Sequence, residues 1–305
     1  MAERLFLFIQ LEFPWELGPA DGRYLLRRPA DGEPERVIIL ETLGAAKRAG
    51  RLAGRRRPQV PPEPPPEPVA TARATVIDPA SVSAESQAQA WLNGLDAAAE
   101  PQAAATALNR VLLAQRIATA DPYLHEVSPA QALLIRAGWG EGEQVAYGRW
   151  LHARELRRGK PRVRRSAALR PQERLAVLLA AREAPLLCEE LTLRARLDLD
   201  EGRPAHAALQ LERAYAAALA ELPREPRVDL DGRLAELAEL QGGVQQAAQA
   251  ALTQAADGVA ARDATSPAGL EGGEPRKDLD EEPIGHALRR LEAALRARTA
   301  AGVGD

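Results

Sequence analysis

The chain has 305 residues, a net charge of −3, 46% hydrophobic and only 4% aromatic residues. That length suits two modest domains with a buried core, and the near-neutral balance excludes a polyanion binder acting through bulk charge. A single cysteine excludes an internal disulfide and a thiolate-rich zinc site.

The N-terminal apolar run is broken by Gln10 and Glu12, too interrupted for a signal peptide, and no stretch approaches the ~20 apolar residues of a membrane span. The expected compartment is the cytoplasm. Much of the hydrophobic share is alanine, which packs helices closely while burying little area. Only three of the 40 basic residues are lysine, which reads with the abundant Ala, Gly and Pro as GC-rich coding bias.

In chain order, "LFLFIQLEF", "RYLLR" and "RVIILETL" are rich in strand formers, with "ADGR" and "PADGEPE" as turns between them. They predict an antiparallel β-meander over residues 1–45. Residues 46–69 follow as a linker, basic first and then proline-rich, its second half a polyproline II spacer of roughly 25 Å. "TARATVIDP" predicts a strand, then come helices from about Ser83 and from Pro101 to about Thr119. Ser128, Pro129 and Gln131 form a helix-start signature, read as one helical turn leading into a short strand at "ALLIRAG". The resulting β-α-α-β unit has two strands able to complete the N-terminal sheet.

From Leu169 the chain reads as helical. Prolines 171, 185, 204 and 283 stand where helices should begin, since first-turn proline loses no hydrogen bond. Helices are expected near 171–184, 185–201, 204–222, 232–256 and 284–299, the fourth with an apolar stripe of Leu234, Leu237, Leu240, Val244, Ala248 and Leu252. The stretch from 257 to 282 is polar and spotted with Gly and Pro, hence a disordered tether. "DLDEGRPAHAALQLERA" from 198 and "DLDEEPIGHALRRLEAA" from 278 share nine identities at a spacing of eighty. Acidic residues suiting a helix N-terminus explain much of that match; a decayed repeat is the other reading.

The candidate chemistry is sparse. Residues 121–155 concentrate aromatics, and Tyr123, His125, Trp139, Tyr147 and Trp150 are candidates for an interaction or small-ligand pocket. Glycines 138, 140 and 142 suit a tight turn better than a phosphate loop, because Glu141 and Glu143 stand among them and no Lys-Ser or Lys-Thr follows. His152 and Glu155, at i and i+3 on an expected helix, make half a metal site at most. Cys188 reads as a buried thiol, too far from His206 for a dyad.

Two arginine clusters remain, 47–57 and 149–174. Arg55, Arg56, Arg57, Arg162, Arg164 and Arg165 are their candidate anion or nucleic-acid contacts, although no aromatic interleaves them for base stacking. "RRRPQVPP" fits a polyproline ligand but reads as spacer.

The expected fold is α+β and predominantly α-helical: a β-meander (1–45), a linker (46–69), a β-α-α-β middle segment (70–165), a helical bundle or hairpin-repeat region (166–256), a tether (257–282) and a C-terminal helix (283–300). The expected function is a cytoplasmic, non-catalytic interaction or scaffold protein with a protein partner and neither metal nor cofactor. The alternative is a nucleic-acid-associated accessory protein using the arginine clusters. Third stands a small-ligand binder or enzyme centred on residues 121–155.

Overall fold

A computed structural model describes residues 4–27, 32–44, 69–156, 165–224, 228–264 and 279–301. The chain divides into two compact units, Met1–Pro161 and Arg162–Asp305, and the fold is α+β with helix predominating.

The first unit is one six-stranded antiparallel sheet. Its strands are β1 (Leu5–Phe13), β2 (Gly22–Arg27), β3 (Pro34–Leu43), β4 (Thr71–Ile77), β5 (Leu134–Glu141) and β6 (His152–Glu155), in the order β2-β3-β4-β1-β5-β6. Strands from residues 1–45 and from 70–165 therefore interleave, with β1 hydrogen-bonded between β4 and β5. The linker between them lies, up to residue 68, outside the described residues.

Alternation along each strand separates two faces. Leu5, Ile9, Leu11, Phe13, Ile38, Leu40, Ala74 and Val76 pack under two helices, α1 (Glu85–Gly94) and α2 (Ala99–Thr119). Ala88 and Leu92 of α1 meet this face, as do Ala104, Ala105, Leu108 and Leu112 of α2. Buried Asn109 holds the following loop to α2: its amide donates to the Val127 carbonyl at 2.9 Å and its oxygen accepts from the Val127 N–H at 2.8 Å. Ser128 and Gln131 form the expected capping box, which heads a single 3-10 turn at Pro129–Gln131 leading into β5.

β6 corrects an expectation. His152 and Glu155 lie on a strand, where residues three apart face opposite ways, so they cannot ligate one ion together. The glycines are corrected too: Gly138 and Gly140 lie inside β5, and Gly142 alone begins the turn. A Cβ at Gly140 would stand 2.9 Å from Val145 Cγ1 and 3.0 Å from Trp150 Cα. Glycine is needed there because the chain folds back over its own strand.

The second unit contains α3 (Arg165–Leu179), α4 (Leu187–Asp200), α5 (Pro204–Glu221), α6 (Val228–Ala264) and α7 (Glu281–Ala301). Helices α4 to α7 share one core around Ala207, Leu211, Tyr215, Leu237, Leu288 and Leu291. Ion pairs fix the direction of packing. Arg196 of α4 meets Glu292 of α7 at 2.8 Å and Arg298 meets Glu189 at 2.9 Å, so α4 and α7 run antiparallel.

Several helix bounds differ from expectation. Pro171 lies inside α3 rather than at its start. α6 begins at Val228 and runs to Ala264, so residues 257–264 of the expected tether are helical. Within α6 the buried positions Leu230, Leu237, Val244 and Ala251 recur every seventh residue, the period of a helix wrapping along its neighbours. Leu252, placed on the buried stripe by sequence, is instead half exposed.

Candidate functional site

The five aromatic and histidine candidates do not converge. Trp139 lies on the helix-covered face of the sheet, stacked on His152 with ring centroids 6.2 Å apart. Trp150 lies on the opposite face against Phe8, with centroids 5.8 Å apart. Tyr123 and Tyr147 are exposed, the former in the loop after α2 and the latter at the end of the turn following β5. His125 stands in the same loop as Tyr123. A single pocket built from these residues is therefore corrected: the sheet passes between the two tryptophans. Of the arginine candidates, Arg55, Arg56, Arg57, Arg162 and Arg164 lie outside the described residues, and Arg165 is known only as the first residue of α3.

What the open sheet face does carry is an ordered polar ladder. Register sets Glu41 beside Arg73 and Arg73 beside Glu12; the next row sets Thr75 beside Gln10 and Gln10 beside Arg136. Arg73 bridges Glu12 at 3.0 Å and Glu41 at 3.2 Å. Buried Gln10 donates to Thr75 Oγ1 at 3.0 Å and to the Ala146 carbonyl at 3.3 Å. Its own oxygen accepts from Arg136, whose guanidinium also lies 4.9 Å from the Trp150 ring centroid. Each charge is matched by a neighbour, so the ladder fixes strand register and holds the returning segment 142–150 on the sheet.

In the helical unit, α4 has two different faces. Cys188, Thr192 and Ala195 are buried and follow helical spacing towards α5 and α7. On the far side stand Leu193 and Leu197, one turn apart, 68% and 41% exposed. Ion pairs flank them, Glu190 with Arg194 at 2.8 Å and Arg196 with Asp200 at 3.5 Å. α3 repeats the motif with Leu175 and Leu179, 54% and 78% exposed.

The N-terminus of α4 is closed by a carboxylate from another helix. Glu221, the last residue of α5, accepts from the Leu187 and Cys188 N–H groups, each at 3.1 Å. Burial opposes ionising Glu221, yet the Cys188 amide and thiol and the Leu187 amide hold its carboxyl below the usual range. The Cys188 thiol is pushed up to about 12, first by burial, then by its hydrogen bond to Glu221 and the nearby negative charges of Glu221 and Glu189. Such a thiol is not a nucleophile at neutral pH. Burial also raises Tyr215, whose hydroxyl donates to the Ala287 carbonyl at 2.8 Å.

A cavity of about 330 Å³ opens between α5, α6 and α7. Leu211, Leu240, Val244 and Ile284 supply its apolar walls, with Gly243 on one side and His286 and Arg289 among its lining residues. Sequence reading passed over it. Its one legible trace was the Gly242–Gly243 pair in the middle of an otherwise strong helix.

These features define an α+β protein with a polar-laddered sheet unit and a helical unit bearing an outward apolar face and an apolar cavity open to solvent. Compared with protein families, curated proteins and solved structures, the chain matches none. No described helix is long and apolar enough to cross a membrane.

Proposed function

We propose that this is a non-catalytic, cytoplasmic interaction protein whose helical unit docks an amphipathic helix of another protein along α4. The single observation behind it is the second apolar face of that helix. Leu193 and Leu197 stand opposite the buried Cys188, Thr192 and Ala195, with ion pairs on their flanks. Leucines one turn apart with charges alongside form the half-seam that an incoming helix completes, burying apolar area while the flanking charges set its register. Exposed large apolar residues scattered singly carry no such meaning; paired on one helix face, they do. A lone, buried, unpaired cysteine fits a reducing compartment.

The test is affinity capture from the native cell with the intact chain and with the Leu193→Asp, Leu197→Asp double variant. Both positions are solvent-facing, so the variant should keep its helical circular dichroism and melting temperature. Proteins captured by the native chain and lost from the variant would support the reading. An identical set with both, or none with either, would overturn it.

A further inference from the structure

We infer that the cavity between α5, α6 and α7 is a binding site for a short-chain fatty carboxylate, with the hydrocarbon tail inside and the carboxylate at the mouth beside Arg289. Its volume of about 330 Å³ falls at the small end of ligand pockets, and bundle interiors are where helical proteins build such sites.

Its walls show why the space stays open. Ala208, Ala247 and Ala287 line it alongside Gly243, so no long side chain from these four positions enters the space. Gly243 sits mid-helix, and a Cβ there would meet nothing within 4 Å, so no close approach of another chain segment requires glycine. Only proline is less favourable in a helix interior. Gly243 is exposed and lines the cavity, so this position adds no side chain to it.

The mouth specifies the head group. Arg289 lines the cavity, and its guanidinium folds back over Gly285, with Nη1 3.3 Å from where a Cβ would stand. Among the described residues it has no carboxylate partner, whereas Arg290 beside it pairs with Glu236 at 3.0 Å. His286 adds a second nitrogen donor or acceptor at the opening. Glu282 is the one carboxylate in the lining; it stands in the first turn of α7, where the helix dipole favours it. An apolar cleft with an exposed guanidinium at its rim that has no carboxylate partner among the described residues suits an amphiphile with an anionic end. This site is independent of the α4 leucines, which take no part in its lining.

The experiment is calorimetric titration of the full chain with octanoate and, separately, with 1-octanol. Octanoate should bind saturably with one site per chain. Arg289→Ala should weaken octanoate at least fivefold and leave octanol unchanged. Gly243→Leu should abolish binding of both while keeping or raising the melting temperature; if that variant does not fold, Ala247→Leu fills the same space from the same helix. No saturable binding of either probe to the native chain overturns the site. So does unchanged binding in a folded cavity-filled variant. Equal loss of octanoate and octanol in Arg289→Ala, or no loss, overturns the carboxylate assignment.

Discussion

At Gly138 an added methyl group would meet the His152 carbonyl and stand 2.8 Å from the Ala153 Cα, both on β6. Backbone cannot yield as a flexible side chain does, so Gly138→Ala should displace the edge strand and cost about 2 kcal/mol in urea unfolding. At Gly142 the space is open but φ is +61°, so Gly142→Ala should cost only about 1 kcal/mol. Gln10 offers a second contrast. Replacing it with leucine strips partners from Thr75, the Ala146 carbonyl and Arg136 together, and should cost about 2 kcal/mol, more than an exposed glutamine would.

Cys188 predicts a pH dependence. Its folded-state pKa of about 12 exceeds the ordinary 9.0, so the unfolded chain releases its proton first. The stability contributed by the neutral thiol is complete below pH 9 and is lost as pH rises towards 12. Tyr215, also raised from its ordinary 10.0, acts in the same direction. Urea midpoints between pH 8 and 11 should fall less steeply in Cys188→Ala than in the native chain, and native thiol should resist disulfide reagents until the helical unit unfolds.

At the scale of elements, part of the match between residues 198–214 and 278–294 acquires a physical cause, while Asp198 and Asp200 close α4 instead of opening a helix as expected. The equivalent positions Ala207, Leu211 and Ala214 of α5 and Ala287, Leu291 and Ala294 of α7 are all buried in the same core. Two helices facing one core need small and large apolar residues at the same spacing, whatever their ancestry. The same reasoning isolates α6. Gly242 is exposed, and a Cβ there meets nothing within 4 Å. Gly242→Ala should therefore raise stability by about 0.5–1 kcal/mol, read as a higher melting temperature.

Charge pairing matters between elements as well. Arg298 is buried and pairs with Glu189 at 2.9 Å, which also receives Arg174 of α3 at 3.2 Å. Removing that carboxylate by Glu189→Gln leaves buried positive charge under-compensated and should destabilise the helical unit by about 3 kcal/mol.

For the whole molecule, the decisive feature is that the two units have separate cores. The sheet unit is built around residues between Leu5 and Leu156, the helical unit around residues between Cys188 and Ala294. Each buries its own apolar surface, so each has what independent folding requires. Residues 1–161 and 162–305 expressed separately should both unfold cooperatively, the first retaining sheet and the second helical circular dichroism. Failure of either piece to fold would mean that its stability depends on the other.

Sequence alone determined the local elements of this protein. Strand-forming residues specified β1, β3 and β4, the Ser128–Gln131 capping signature specified a helical turn before β5, and Pro204 marked the start of α5, because each follows from contacts within a few residues. The α+β class and the buried cysteine were legible for the same reason. Tertiary structure decided the rest.

That β1 lies between β4 and β5 depends on pairing across 59 to 136 residues, which no local pattern encodes. β6 escaped notice because "HARE" carries no strand signal of its own and becomes a strand only by pairing with β5. The tryptophans at 139 and 150 look like neighbours along the chain, yet the sheet between them sets them on opposite faces. The outward leucines of α4 and the cavity beside Gly243 emerge only when it is known which face each helix buries, and that is fixed by its neighbours in space.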